Sequence, residues 1–325
     1  MTIFKLNDFK LNKQIGKGSF GSVFKGKHNI SGYTCAIKKI RDEDRFRNSS
    51  KKEIEILSYL MTLKNKIDYF PIIIFYGDFM ENNIQYIIFE FMDINLYEYY
   101  SKYYYSIELD FIIEIIKQLC QGLKFIHTKY IHADLKPENI MINKESKRIK
   151  IIDLGSSMAK NKIKNCFYHQ SRYYRAPEII FHLQFNEKID IWSLGCITYE
   201  LITKKPLFKA TNTRDLLFKM IEKIDIPNQK EYLESVKFNK YFTSFEKEET
   251  EEYFRIEDKK TIKQKYKIPS YCLVEDIYKH IQFFKDEECK KQYIIDFICK
   301  TLKYDFEKRP SAEECLSDIV FSEKI

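Results

Sequence analysis

The apolar positions change period once along the chain. From residue 9 to residue 40 they alternate with polar ones, as half-buried β-strands do. Glycines at 16, 18 and 21 interrupt this run, and Tyr33-Thr34-Cys35-Ala36-Ile37-Lys38-Lys39-Ile40 resumes it. Ser49 and Ser50 then stand where helix caps are expected. Ile54, Leu57 and Leu60 or Met61 follow at helical spacing, which predicts a helix from about Lys51 to Leu63. Residues 72–91 read as two strands around a turn at Glu81-Asn82-Asn83. Beyond residue 95 the period becomes helical. Ile112, Ile115, Ile116, Leu119, Leu123 and Ile126 predict a long buried helix, and Trp192, Leu194, Ile197 and Leu201 predict another over 188–203. Between them, Ile149 to Ile152 is a short apolar strand that runs into Asp153. The order predicts an α+β architecture, with a small β-rich lobe followed by a larger α-rich lobe. No internal repeat and no linker between independent domains is visible.

One stretch departs from both periods. Residues 228–268 are rich in Lys and Glu, including Glu246-Lys247-Glu248-Glu249-Thr250-Glu251-Glu252. Such a segment cannot bury much apolar surface, so it predicts a surface insertion, partly helical or mobile. Amphipathic helical pattern returns from about residue 276.

Composition narrows the function classes. The chain has 325 residues, 44% of them hydrophobic, which permits two lobes with a shared core around a cleft. The formal charge of +8 is spread along the chain and not gathered into a basic face or a nucleic-acid module. A solvated basic surface is expected, and no nucleic-acid partner. None of the eight cysteines forms Cys-x-x-Cys or pairs with His at zinc spacing. Met1-Thr2-Ile3-Phe4-Lys5 is too polar for a signal peptide, and no apolar run reaches the length of a membrane span. These features predict free thiols in a reducing interior, cytoplasm or nucleus, with no membrane partner.

The candidate chemistry is concentrated in His132-Ala133-Asp134-Leu135-Lys136-Pro137-Glu138-Asn139. This octet places an acid, a lysine and an amide at fixed offsets on one loop stiffened by proline. Asp134 can hold a hydroxyl and accept its proton, Lys136 can neutralise a moving phosphoryl group, and Asn139 can ligate a metal ion. Upstream lies Ile15-Gly16-Lys17-Gly18-Ser19-Phe20-Gly21-Ser22-Val23. Strand-like sequence flanks these glycines on both sides, which suits a hairpin whose bare backbone lies over phosphates. Lys38, on the next strand, can bind phosphates if a helix carboxylate holds it. Glu53 and Glu55 both lie near suitable spacing, and Glu53 is favoured because Leu57, one turn later, then faces the core. Asp153-Leu154-Gly155 follows the 149–152 strand, where the acid can hold Mg²⁺ and the glycine lets the chain turn.

In this order and spacing the motifs resemble those of the eukaryotic protein kinases over nearly the whole chain. Arg175-Ala176-Pro177-Glu178, Asp190-x-Trp192-Ser193-x-Gly195 and Lys308-Arg309-Pro310-Ser311-Ala312 are similar to three further landmarks of that family. Asn95-Leu96-Tyr97-Glu98, Asp153-Leu154-Gly155-Ser156-Ser157 and Gln170-Ser171-Arg172-Tyr173-Tyr174-Arg175 resemble one branch, the dual-specificity tyrosine-phosphorylation-regulated kinases with their homeodomain-interacting and yeast relatives. That branch belongs to the group with the cyclin-dependent and mitogen-activated kinases. The resemblance implies a bilobal kinase fold over about 9–321, with an N-lobe at about 9–91 and a C-lobe at about 95–321. It implies ATP and Mg²⁺ as cofactors and Ser/Thr protein substrates, often with proline next, for a monomeric enzyme. Adenine would lie between Ala36 and Met141, with Glu90 and Met92 as hinge residues and Phe89 as a bulky gatekeeper. The helix carrying Asp190-x-Trp192-Ser193-x-Gly195 would be the buried helix that anchors the catalytic loop, and Arg309 would pair with Glu178. Tyr168 matches the activation-loop tyrosine that is autophosphorylated in that branch, and Arg172 and Arg175 would receive its phosphate.

Several residues depart from the pattern. Ala133 stands where the family has Cys or Arg, so no guanidinium on this loop can receive a phosphothreonine. Alanine there also occurs in the splicing-associated kinases of the same group, an alternative placement. Cys166 replaces the first of two family tyrosines, and Leu154 replaces Phe. The chain begins almost at the first strand, so the N-terminal elements of many relatives are expected to be missing. A pseudokinase scaffold is the alternative from another class, and the intact catalytic positions argue against it.

Overall fold

The alternating run at 9–40 forms three antiparallel strands, β1 (Phe9–Lys17), β2 (Gly21–His28) and β3 (Thr34–Ile40). Two more, β4 (Phe75–Glu81) and β5 (Ile84–Glu90), complete a sheet in the order β1-β2-β3-β5-β4. Asn82 and Asn83 make the β4–β5 turn with φ of 50° and 61°. Two consecutive left-handed residues match the twist of a tight hairpin, and asparagine tolerates that conformation well. The computed structural model describes residues 4–18, 20–64, 68–103, 107–162, 169–224, 230–235, 237, 242–244, 254–256, 272–286 and 288–322.

Helix α1 (Asp44–Met61) packs on the sheet through Phe46, Ile56, Leu57 and Leu60. It begins well before the expected Lys51, with Glu43 as its N-cap and no side-chain cap bond. Ser49 and Ser50 are therefore interior residues and not caps. Ser50 Oγ turns back to the Arg47 carbonyl at 2.9 Å. Phe46 explains the early start. Its ring packs on Phe20 at 5.6 Å between centroids and so extends the buried face through a stretch of polar sequence.

The second lobe is built on two helices. Helix α3 (Leu109–Ile126) buries Ile112, Ile115, Ile116, Leu119, Leu123 and Ile126, the positions whose spacing predicts it. Helix α5 (Lys188–Thr203) is buried all the way round from Ile189 to Thr203, so it is the axis of this lobe. Gly195 allows that packing, since a Cβ there would lie 2.3 Å from Thr301 Oγ1 on the helix Glu288–Thr301. A short helix α2 (Leu96–Lys102) caps the start of the lobe, and α4 (Pro177–Phe181) precedes α5.

Short strands line the cleft between the lobes. β6 (Ile94–Asn95), β8 (Ile140–Ile142) and β9 (Ile149–Ile151) form one sheet, and β7 (Tyr130–Ile131) pairs with β10 (Met158–Ala159). The lobes are stitched together behind the cleft, where Ile73 N–H donates to the Ile151 carbonyl at 3.0 Å and Ile151 N–H donates to Pro71 at 2.9 Å. Within the charged stretch 228–268, the described parts are a helical turn, Lys230–Leu233, and a hairpin pairing Phe242–Ser244 with Phe254–Ile256. The helical turn is in keeping with a partly helical insertion, and the paired strands were not foreseen. These strands are short, alternating pieces, Phe-Thr-Ser and Phe-Arg-Ile, set in charged sequence that hides their period. No helix among the described residues is long and apolar enough to cross a membrane.

Candidate active site

The glycine-rich turn between β1 and β2 closes by Gly18 N–H donating to the Gly21 carbonyl at 2.9 Å. Its glycines serve different ends. A Cβ on Gly21 would lie 1.9 Å from the Lys39 carbonyl oxygen, so the sheet itself demands glycine. A Cβ on Gly18 would meet nothing within 4 Å, and one on Gly16 would make only ordinary contact with Val23. The fold does not demand glycine at these two positions, and at Gly18 the backbone faces open space. Ile15 is 40% exposed at the mouth of the turn. Lys17 and Ser22 face each other across the strands, and Phe20 folds down toward α1. Ser19 lies outside the described residues.

Beneath this turn, Lys38 Nζ donates to both oxygens of Glu53, at 2.9 and 2.8 Å, and lies 3.6 Å from Asp153 Oδ1. Glu55 is exposed and takes no part. Burial alone would lower the Lys38 pKa, but the Glu53 and Asp153 carboxylates outweigh it and hold the ammonium charged. Asp153 sits in the left-handed region, at φ 60° and ψ 69°, with Leu154 fully buried behind it.

Across the cleft, the octet forms a loop hung from helix α5. The Asp190 carboxylate accepts from His132 N–H at 2.8 Å and Ala133 N–H at 2.9 Å. Ala133 has φ +62° and is fully buried, so this anchor holds a backbone conformation unusual for alanine. His132 joins the loop to the next strand through Nε2, 3.0 Å from the Ile152 carbonyl. The Asp134 carboxylate thus reaches the cleft on a fixed backbone. Its Oδ2 accepts from Lys136 Nζ at 2.7 Å and Asn139 Nδ2 at 3.3 Å. Its Oδ1 accepts from Ser171, N–H at 2.9 Å and Oγ at 2.7 Å. Lys136 Nζ also donates to Ser171 Oγ at 2.9 Å. This serine is part of the site, and nothing in its local sequence singled it out. Its signal was indirect, a place in the string that resembles one kinase branch.

Asn139 and Asp153 fit a magnesium ion. Asn139 donates through Nδ2 to the Asp134 carbonyl at 2.8 Å, which leaves its side-chain oxygen as the free group. Asp153 Oδ1 is buried and has no hydrogen-bond partner. Hard oxygen donors with spare lone pairs are what such a cation takes.

The rear of the cleft is apolar. Ala36 and Phe89 are cross-strand partners, Phe89 and Met92 are buried, and Met141 is half-buried on β8. The Glu90 side chain points away from the cleft. Its Oε1 accepts from Ile74 N–H at 2.8 Å and lies 3.2 Å from Lys150 Nζ, whose pKa burial lowers. Only the Glu90 backbone is thus left to face an adenine.

The described part of the segment after the cleft is held by buried ion pairs and hydrogen bonds. Arg309 pairs with Glu178 at 2.6 and 2.7 Å, both side chains fully buried. Tyr174 donates to the buried Glu200 at 2.7 Å, and Tyr100 donates to its other oxygen. Arg175 donates through Nε to the His169 carbonyl at 3.0 Å and through Nη2 to the Gln170 carbonyl at 2.9 Å. Arg172 donates to the Thr211 carbonyl at 2.6 Å. The two arginines therefore engage different backbone segments. Tyr168 and Cys166 lie outside the described residues.

A sequence model of the protein kinase domain matches residues 9–321. The chain is 39% identical over 238 residues to the dual specificity tyrosine-phosphorylation-regulated kinase 3 of Mus musculus, covering 72% of this chain and 40% of that protein. It is 38% identical to the Rattus norvegicus protein of the same name, with the same coverage of both chains. It is also 38% identical over 239 residues to a putative Drosophila melanogaster homolog, covering 73% of this chain and 28% of that protein. The chain spans two-fifths or less of the length of these relatives at the aligned region.

Proposed function

The chain belongs to the protein kinase family, and from that premise we propose that it transfers the γ-phosphoryl group of ATP to serine and threonine hydroxyls of proteins. The observation that carries this reading is the pairing of two assembled halves across one cleft. Lys38 is held by Glu53 above, and Asp134 is held among Lys136, Asn139 and Ser171 below.

The roles follow from chemistry and position. The backbone from Ile15 to Val23 covers the phosphates, and Lys38 binds the inner pair. Asn139 and Asp153 would hold Mg²⁺, which would supply neutralising charge for the phosphates. Asp134 orients the substrate hydroxyl and takes its proton, while Lys136 stabilises negative charge on the transferred group. Ala36 and Met141 sandwich adenine between the lobes, with Phe89 closing the rear.

The relatives' names describe dual-specificity, tyrosine-phosphorylation-regulated kinases. For this chain the corresponding event is autophosphorylation of Tyr168. A phosphate there carries close to two negative charges and draws on Arg172 and Arg175, four and seven residues on. Substrates with proline after the acceptor also suit the site. Gln170 has φ +65° and its carbonyl is occupied by Arg175, so it offers no acceptor for a following N–H, and proline has none to lose. The enzyme works as a monomer in the cytoplasm or nucleus.

The test is a peptide-library assay on the purified protein with phosphosite mapping of the enzyme. Wild type should phosphorylate Ser/Thr peptides, and Asp134→Asn should lower kcat by at least about a hundredfold. Equal rates before and after that change would reject the assignment of the base. Fully active protein bearing unmodified Tyr168 would reject the tyrosine switch.

A further inference from the structure

Ser49 lies one helical turn before Glu53, on the same face of α1. Its Oγ donates to the Gly155 carbonyl at 3.1 Å, across 106 residues of sequence. The bond reaches the turn that carries Asp153, and that turn needs holding. Asp153 is left-handed, a conformation a non-glycine residue keeps only when its surroundings impose it. Leu154 is buried below it, and Ser157 ties the turn to the octet by donating from Oγ to the His132 carbonyl at 3.1 Å. Ser49 supplies the corresponding tie to α1. The packing is close, because a Cβ built on Gly155 would lie 3.3 Å from Ser49 Oγ, 3.4 Å from Asp153 Oδ1 and 3.9 Å from Glu53 Oε2.

We propose that Ser49 is a positioning residue for the metal-binding turn, so that docking of Glu53 on Lys38 and placement of Asp153 occur together. The inference rests on the kinase reading above. A second contact, Lys38 Nζ to Asp153 Oδ1 at 3.6 Å, joins the same two parts. Both of its charges are committed elsewhere during the reaction, Lys38 to phosphates and Asp153 to the metal. The Ser49 bond is neutral and competes with neither.

The test compares wild type, Ser49→Ala and Ser49→Thr. The first readout is melting temperature with a non-hydrolysable ATP analogue, with and without magnesium. The second is kcat as a function of magnesium concentration. Ser49 is only half-buried, so the alanine variant leaves no core cavity. Ser49→Ala should keep the thermal shift given by nucleotide alone and lose most of the increment that magnesium adds. Its half-maximal magnesium concentration should rise about five- to tenfold, the scale of one hydrogen bond. Ser49→Thr restores a hydroxyl and should behave as wild type. A wild-type magnesium increment in Ser49→Ala overturns the inference. So does an activity loss that follows melting temperature while the magnesium requirement stays unchanged. A wild-type protein with no phosphorylation and no magnesium–nucleotide shift overturns the kinase reading, and this inference with it.

Discussion

Arg309→Met leaves Glu178 as a buried carboxylate without its cation. The guanidinium supplies two charge-assisted bonds to Glu178, at 2.6 and 2.7 Å, and both side chains have no solvent exposure. It also donates to the carbonyls of Lys303 at 2.6 Å, Lys188 at 3.2 Å and Tyr304 at 3.2 Å. Burial alone would lower the Arg309 pKa, but Glu178 more than offsets this, so the guanidinium stays charged. Removing one member of such a pair costs about 3–5 kcal/mol. At roughly 2–3 °C per kcal/mol for a chain of this size, the melting temperature should fall by about 6–15 °C.

The two partners should not be equivalent. In Glu178→Leu, the guanidinium keeps its three carbonyl acceptors. In Arg309→Met, the partner left to the Glu178 carboxylate among the described residues is the Tyr232 hydroxyl at 3.4 Å, and that hydroxyl lies closer, at 2.9 Å, to the Tyr304 carbonyl. The arginine variant should therefore be the less stable of the two. The double variant, which buries no charge at all, should be more stable than the sum of the single losses implies. Thermal and urea unfolding of the four proteins form a complete cycle. Additive losses, or a fall below about 2 °C for Arg309→Met, would refute the claim that this pair seats the segment after the cleft.

Three further outcomes are expected. Gly18→Ala should leave stability unchanged or raise it by up to about 1 kcal/mol while raising the KM for ATP, because its Cβ meets only open space. Gly21→Ala should instead destabilise by about 1–3 kcal/mol, because its Cβ runs into the Lys39 carbonyl; identical behaviour of the two variants in melting and kinetic assays would count against the division of labour. Burial raises the Glu200 pKa, and the Tyr100 and Tyr174 hydroxyls only partly offset it. The folded state then holds that proton more tightly, so stability is lost as pH rises from the ordinary carboxylate range through the folded pKa, and Glu200→Gln should gain on wild type as pH rises above that ordinary range; superimposable melting profiles would exclude the effect. Arg175→Ala releases the Gln170 carbonyl, so peptides lacking the following proline should gain relative to those that have it, and an unchanged ratio of kcat/KM would argue for another source of that preference.

What could be read from the sequence was local. The hydrophobic spacing of 112–126 and 188–203 predicts helices that the fold contains at Leu109–Ile126 and Lys188–Thr203, because the apolar positions of a helix, on one face in the first and all round in the second, are declared by nearby residues alone. The octet was legible for the same reason, with acid, lysine and amide all within six residues. The start of α1 was not. Phe46 decides it by packing on Phe20, and a single apolar residue among Asp44, Arg45 and Arg47 carries no period of its own.

The residues that hold the chemistry in place were legible least of all, for a different physical reason. Ser171 reaches Asp134 across 37 residues, Asp190 reaches Ala133 across 57, and Ser49 reaches Gly155 across 106. Each is a single polar side chain whose neighbours in sequence do not reveal its partner, and for Asp190 it was the family resemblance that marked its helix as an anchor. Serine inside a helix is by propensity a mild fault, which is why Ser49 first reads as a cap. Its cost to the helix is small, and its bond fixes a left-handed aspartate that would otherwise have cheaper conformations open to it. The same holds for Ala133, whose φ of +62° is kept by the Asp190 carboxylate and not by any preference of alanine. Local sequence thus names the reacting groups, while their geometry depends on distant polar contacts that hold the backbone in conformations it would not choose alone.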